Sequence, residues 1–491
     1  MLDRLYTLQN GTDIRGVAYK DDKSNHEISL TIEDVKLLAC GFATWIKTRK
    51  NKDHISISVG TDSRLTGKDF KDACIEALIA RGVDVVDCSM ATTPAMFMST
   101  IIDGYKCDGA IMFTASHMPY IYNGLKLFTK QGCLEKTDLK EVIDICVSRK
   151  FLDEKYSGSL KKKDLIEDYS QILIDKIRSG VNSSTDYERP LAGMRIIVDA
   201  GNGAGGFFAN KVLARLGANT RGSQYLNPDG MFPNHIPNPE NKEAMASICQ
   251  ATLENKGDLG IIFDTDVDRA AIVGPNGRPI NKNALIALIS TIILEEHPDT
   301  TIVTDSVTSN GLAKFIKDKG GVHHRFKRGY KNVINEAIKL NEEGRESHLA
   351  IETSGHAAIR ENYFLDDGAY LISKILVKAA KLYKESRDIG QLIVGLDEAL
   401  EDKEIRLKIE DNNFRDYANN LIKSLSEKVK EIEGWTEVAD NYEGIRVDCR
   451  DEKGWFLMRS SLHEPLLVIN FESDIKGGCD SMYDKLSSLI K

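Results

Sequence analysis

GAIMFTASHMPYIYNGLKLF, residues 109–128, holds an apolar run at 110–113 that stops abruptly at hydroxyls, a histidine and a proline. A short apolar run of this kind predicts a buried strand of a parallel sheet. The polar residues after it, Thr114 to Pro119, then predict a loop at the strand's carboxyl end. Ligands of open α/β sheets gather at that end. Ser116 and His117 therefore stand where function is expected. A serine after a strand is ordinarily a helix N-cap. His117 and Lys126 add a possible base and a cation, which leaves a chemical role open. A Ser-His-Asp hydrolase is disfavoured, because TASHMP has no glycine elbow around its serine.

The same pattern recurs along the chain. A β-branched run meets a loop of Gly, Asp, Ser or Thr at ISISVGTDSRLTG (55–67), RIIVDAGNGAGG (195–206) and LGIIFDTDVDRAAIV (259–273). It returns at TIVTDSVTSNG (301–311) and LAIETSGHAAI (349–359). Strands that alternate with helices predict α/β domains with mostly parallel sheets. Polar or turn-rich stretches at 148–164, 273–281 and 384–406 read as connections. After them a helix is expected over about 414–432, followed by short strands in EGIRVDCR, GWFLMRSS and LLVINFES, an α+β unit. Three α/β units and one smaller α+β unit result.

Totals narrow the class. The chain has 491 residues, 42% hydrophobic and 28% charged, and a net charge of −9. That charge disfavours general binding to nucleic acid or an anionic membrane. Local cations such as Arg15, Lys327, Arg328 and Lys331 still offer places for a small anion. The start MLDRLYTLQNGTD lacks an apolar core of the signal-peptide kind. ALIALISTIIL (284–294) is too short to span a bilayer. Nine dispersed cysteines without a CxxC pair predict reduced thiols and a cytoplasmic protein.

Three further loops carry chemistry. DTDVDR places Asp264, Asp266 and Asp268 at the end of one apolar strand. Three carboxylates this close raise one another's pKa unless a cation sits among them. Hard oxygen ligands suit Mg²⁺, and the apolar flanks argue against a merely solvated turn. ETSGH (352–356) offers Glu352, Ser354 and His356 either to a polyol or to a capped turn. RSSLHEP (459–465) reads equally as a polar β-turn or as a phosphate cradle of Arg459, Ser461 and backbone N–H groups. Arg15 falls in a glycine-bracketed turn, NGTDIRG.

These motifs, in this order, resemble the α-D-phosphohexomutases over essentially the whole chain. TASHMPYIYNGLK is similar to the family's phosphoserine loop TASHNPxxYNGxK, and DTDVDR to its metal loop DGDxDR. ETSGH is similar to the sugar loop GExSGH, and RSSLHEP to the phosphate loop RPSGTEP. The resemblance implies four domains around a central cleft, three α/β with mixed sheets and a smaller C-terminal α+β domain. The expected bounds are 1–158, 159–276, 277–395 and 396–491. It implies a phosphoserine at Ser116, one Mg²⁺ per chain on Asp264, Asp266, Asp268 and that serine, and a glucose 1,6-bisphosphate-type activator. Arg15 and Lys126 would hold the phosphoserine, and Arg269 would sit beside the metal loop. Glu352, Ser354 and His356 would meet the sugar, while Arg459, Ser461 and His463 would meet its phosphate. Lys327, His117 and His356 are the candidate acids and bases.

The implied activity interconverts hexose 1- and 6-phosphates, of glucose and/or mannose, through a 1,6-bisphosphate. Phosphoglucosamine mutase, a phosphatase and a sugar-phosphate sensor are the alternatives. No nucleic acid or membrane partner is expected, and the chain would be a monomer or homodimer. Departures are Thr265 for a glycine, Tyr330 for a histidine, and Leu462-His463 for Gly-Thr.

Overall fold

The computed structural model describes residues 2–21, 25–152, 157–411, 413–461 and 465–490. Residues 153–156 of the first expected connection lie outside them, as does His463. The buried strand Gly109–Phe113 forms as expected and occupies the middle of the first sheet. Parallel neighbours Ser56–Thr61 and Asp84–Met90 lie on one side. On the other side its partner is Tyr122–Thr129, antiparallel, followed by Asp13–Val17. Leu160–Lys162, within a stretch read as a connection, adds a parallel edge strand. Helices Ile32–Lys50 and Lys136–Ser148 cover one face, packing Phe42, Leu139 and Val142 on Ile57, Ile111, Phe113 and Leu125. Thr31 and Asp34 close a capping box on the first of these helices.

The chain divides into two compact units. The first holds residues 1–280, 354–356 and 365–389, and the second 281–353, 357–364 and 390–491. The first unit contains a second sheet, with Ile196–Asp199 parallel to Leu259–Phe263 and Ala270–Val273 antiparallel beside it. Its long helices Leu165–Val181 and Gly368–Lys384 are joined by Tyr169, whose hydroxyl meets both Asp367 oxygens at 2.7 and 2.6 Å.

In the second unit Thr301–Thr304 lies parallel to Val322–Arg325 and Ser347–Ile351, and Ala357–Ile359 runs antiparallel to the last. A separate antiparallel sheet orders Glu401–Lys408, Leu466–Ser473, Gly454–Ser460, Ile445–Cys449 and Trp435–Glu437. Helices Phe414–Val429 and Gly478–Leu489 complete that domain over Phe456, Ile469 and Phe471. The fold is α/β, with three such domains and a C-terminal α+β domain.

Several expectations need correction. Three of the six recurring strands, at 109–113, 259–263 and 347–351, are followed by a second strand and not by a helix. A few polar residues suffice for an antiparallel return, whereas a parallel one needs a crossover. The chemically loaded loops are therefore the tips of hairpins. Arg15 lies on strand Asp13–Val17 and not in a turn, because its register places it opposite Gly124. Glu401–Lys408 was expected as a connection. Its charged, largely exposed composition fits an edge strand. Among the described residues no helix is long and apolar enough to cross a membrane.

Candidate active site

The hairpin tip after Phe113 delivers Ser116 with φ +49°, an uncommon conformation for a residue with a Cβ. Its hydroxyl is buried, and its N–H donates to Thr114 Oγ1 at 2.9 Å. The returning strand approaches closely at Gly124, where a Cβ would come within 2.1 Å of Ile14 O and 2.9 Å of Thr114 O. That is why YNGLK needs its glycine. Three groups meet at the serine hydroxyl. Ser116 Oγ stands 3.3 Å from Asp264 Oδ2, accepts from Arg269 Nη2 at 3.3 Å, and lies 3.3 Å from His117 Nδ1.

The second hairpin tip supplies the acids. Val267, at φ +68°, turns the chain so that Asp264, Asp266 and Asp268 converge. One oxygen from each lies within 4.8 Å of the others, and all three residues are buried. Asp264 receives the Arg269 backbone N–H at 3.2 Å and Nε at 3.1 Å. Asp266 Oδ2 accepts from Thr93 Oγ1 at 2.5 Å. Lys126 Nζ, fully enclosed, donates to Asp268 Oδ2 and lies 3.2 Å from Asp266 Oδ2. Asp266 Oδ1 and Asp268 Oδ1 are buried without a hydrogen-bond partner among the described residues.

Burial, then the Asp268 and Asp266 charges, raise the Asp264 pKa well above the usual carboxylate range. Burial acts the same way on Asp268, but Lys126, His356 and Arg269 outweigh it and lower its pKa. A buried, all-oxygen set with two unpartnered oxygens fits a hard divalent cation.

Two histidines flank this cluster with opposite tendencies. His356 Nδ1 pairs with Asp366 Oδ2 and stands 3.9 Å from Asp268 Oδ1. Burial opposes its charge, yet Asp366 and Asp268 more than offset this and raise its pKa to about 9. His117 is lowered instead, first by the protein atoms around its ring and then by Arg269, Arg15 and His356. The residue is nevertheless exposed. Arg15 Nη2 pairs with Asp13 Oδ2 at 2.8 Å, and Arg15 also bears on Lys126 and His117 through its charge.

The second unit gathers the other candidates except Ser354, which belongs with His356 to the first. Glu352, at the third hairpin tip, is buried and accepts the Gly329 N–H at 2.6 Å. Thr353 donates to Asp305 Oδ2 through N–H at 3.2 Å and Oγ1 at 2.7 Å. Ser354 Oγ is buried without a hydrogen-bond partner among the described residues. Arg328 N–H meets Glu443 Oε2 at 3.2 Å, a carboxylate that also takes the Ser306 hydroxyl at 2.5 Å. Lys327 is exposed, 5.9 Å from the Phe326 ring. Arg459 is 6% exposed, and its Nε lacks a hydrogen-bond partner among the described residues. Burial, and then Arg328, lower its pKa against the opposing pull of Glu443. Ser461 N–H closes onto Leu466 O at 2.8 Å.

Ser116, His117, Lys126, Arg15, the three aspartates, Arg269 and His356 thus come together in the first unit. Lys327, Glu352, Arg459 and Ser461 belong to the second. Sequence reasoning missed Asp366, which holds His356, and Thr93, which holds Asp266. The LDDG that follows ETSGH was the available signal for the first.

Residues 7–152, 171–277 and 281–394 match, in turn, the families described as phosphoglucomutase/phosphomannomutase, alpha/beta/alpha domains I, II and III. A phosphoglucomutase/phosphomannomutase of Thermococcus kodakarensis is 30% identical over 466 residues, covering 94% of this chain and 93% of that relative. A phosphoglucomutase of Neisseria gonorrhoeae is 28% identical over 481 residues, covering 98% and 95%. The crystal structure of a phosphoglucomutase/phosphomannomutase family protein from Burkholderia thailandensis superimposes with a TM-score of 0.80 at 27% identity. It covers 98% of this chain and 96% of its own. Three α/β domains, a terminal antiparallel domain and a buried serine set against three aspartates define the α-D-phosphohexomutase superfamily. Within it, the chain belongs to the phosphoglucomutase/phosphomannomutase family.

Proposed function

We propose that this chain is an isomerase that interconverts the 1- and 6-phosphates of glucose and mannose, with Ser116 as the phosphoryl carrier and Mg²⁺ as its metal. The observation that carries the reading is Ser116 Oγ, buried 3.3 Å from Asp264 within a convergent, partly unpartnered carboxylate cluster. The relatives' names support glucose and mannose over glucosamine as the sugar. Asp264, Asp266 and Asp268 would hold the cation, beside the phosphoserine. When bound, it supplies neutralisation of charge around the phosphoryl group.

Phosphoryl transfer needs positioning and charge neutralisation more than covalent assistance. Arg269, donating to Ser116 Oγ, supports negative charge on that oxygen as the bond to phosphorus breaks. The sugar hydroxyl forms the new oxygen–phosphorus bond, and its proton ends on Ser116 Oγ as the bond from that oxygen to phosphorus breaks. His117, 3.3 Å from Ser116 Oγ, is placed to take the serine proton when the serine is rephosphorylated. His356, held as imidazolium by Asp366 and Asp268, is a donor and a fixed positive charge. Glu352 and Ser354 would bind sugar hydroxyls. Arg459, a buried cation with an open Nε–H, would bind the non-reacting phosphate together with Ser461. The 1,6-bisphosphate must then present its other phosphate to Ser116.

Initial rates with Mg²⁺ and a trace of glucose 1,6-bisphosphate test this. The 1-phosphates of glucose, mannose, glucosamine and N-acetylglucosamine are compared, with Ser116→Ala as control. Turnover of the first two, abolished in the variant, is expected. Preference for glucosamine 1-phosphate would overturn the choice of sugar, and isomerisation undiminished in Ser116→Ala would overturn the carrier.

A further inference from the structure

We propose that Arg64, covered by Phe232, is the positioning residue that fixes the loop carrying Ser116. The inference rests on the reading of Ser116 as phosphoryl carrier. Arg64 sits in GTDSR, after strand Ser56–Thr61 and ahead of helix Gly67–Ala80, and is 3% exposed. Its guanidinium has four terminal N–H bonds, and the structure gives them four backbone carbonyls. Nη2 donates to Ser116 O at 2.5 Å and Met118 O at 2.6 Å. Nη1 donates to Pro119 O at 3.0 Å and Tyr122 O at 2.7 Å. Three of the four acceptors lie on the one loop and the fourth opens the returning strand Tyr122–Thr129, and the first belongs to the reacting serine itself.

A planar fork of donors fixes the directions of its acceptors, which an ammonium on a flexible stem does not. Directional support is what this loop needs. Ser116 is held at positive φ, and its hydroxyl must return to the same place after each transfer. The arginine is itself anchored at its root. Its backbone N–H donates to Asp62 Oδ1 at 2.9 Å, and Asp62 N–H donates to Phe113 O at 3.0 Å, where the hairpin begins.

A loop of the second α/β domain closes over the arginine. The Phe232 ring lies 5.4 Å from the guanidinium carbon. Phe232 can reach it because Gly230 passes against the backbone of residues 63–65, where a Cβ would stand 2.5 Å from Ser63 O and 2.6 Å from Leu65 N. DGMFPNH thereby ties the second domain to the serine loop, and it takes no part in the chemistry above.

The test uses the full chain with Arg64→Lys and Phe232→Leu. Four readings are taken: the rate of Ser116 phosphorylation by glucose 1,6-bisphosphate, kcat, KM for glucose 1-phosphate, and amide exchange over residues 115–122. In Arg64→Lys, phosphorylation and kcat are expected to fall by about 10²-fold, the order of effect for a reacting group misplaced by about 1 Å. KM is expected to stay within about threefold and loop exchange to quicken about tenfold, as expected when directional hydrogen bonds are lost while the fold is kept. Phe232→Leu keeps all four hydrogen bonds and leaves the fold intact, and kcat and phosphorylation should fall together by roughly 3- to 10-fold. If Arg64→Lys fails to fold, the Phe232→Leu result decides. Wild-type phosphorylation rates in the folded variants, or a kcat loss matched only by a lower folded fraction with loop exchange unchanged, would overturn the proposal. Wild-type protein that takes up no phosphoryl group on Ser116 would overturn the carrier reading and this inference with it.

Discussion

The domain that carries Arg459 contains a carboxylate whose ionisation opposes the fold. Glu472 lies on Leu466–Ser473, the strand paired with the one bearing Arg459. Its Oε2 accepts from Trp455 Nε1 at 2.9 Å, and the Arg446 guanidinium lies 3.5 Å from the Trp455 ring centre. Burial nevertheless raises the Glu472 pKa to about 7, against the lowering by Trp455 and Arg446. The unfolded chain ionises this group near 4.5. The folded state therefore binds the proton more tightly, so stability is fullest below pH 4.5 and is lost as pH rises towards 7. Between pH 5.5 and 8 the loss works out at about 2 kcal/mol.

The assay is urea unfolding in a Trp45→Phe background, which leaves Trp435 and Trp455 of this domain as reporters. Wild type minus Glu472→Gln should show that fall between the two pH values. Glutamine keeps an acceptor for Trp455 but cannot ionise. The reasoning is refuted if both proteins respond identically to pH, or if wild type gains on the variant as pH rises.

Other outcomes follow from the site. Lys126→Met removes the buried cation shared by Asp266 and Asp268, so stability without metal should fall by about 3–5 kcal/mol. Stabilisation by added Mg²⁺ should grow, as thermal melts with and without the ion would show. Arg459→Ala should weaken the apparent affinity for glucose 1-phosphate by roughly 10- to 100-fold, the range for one charged hydrogen-bonded contact, read as KM in steady-state assays. Tyr169→Phe removes the buried hydroxyl that meets both Asp367 oxygens and should cost about 1–3 kcal/mol in denaturant unfolding, with kcat little changed.

What the sequence disclosed follows a physical rule. Asp264, Asp266 and Asp268 were legible because like charges between apolar strands demand a compensating cation, and three letters in six residues state that demand. Ser116 and Glu352 were legible as polar residues ending buried strands. The hairpin returns were not, because YNGLKLF and AAIV read equally as the start of a new element. Glu401–Lys408 was hidden by its charge, which edge strands tolerate. Arg64 left no pairing signal, since its partners are four carbonyls and any sequence supplies carbonyls. Asp366 and His356 are ten positions apart, and although LDDG marks two acids there, only the fold selects Asp366 as the partner of the histidine.

The central claim is that one phosphoryl group moves between Ser116 and the sugar. The direct measurement isolates the chain with labelled phosphate on Ser116 and mixes it with excess unlabelled glucose 1-phosphate and Mg²⁺ in a rapid-quench experiment. The account predicts that label leaves Ser116 at least as fast as kcat and appears first in glucose 1,6-bisphosphate. Label released as inorganic phosphate, or retained on Ser116 while isomerisation proceeds, would contradict it.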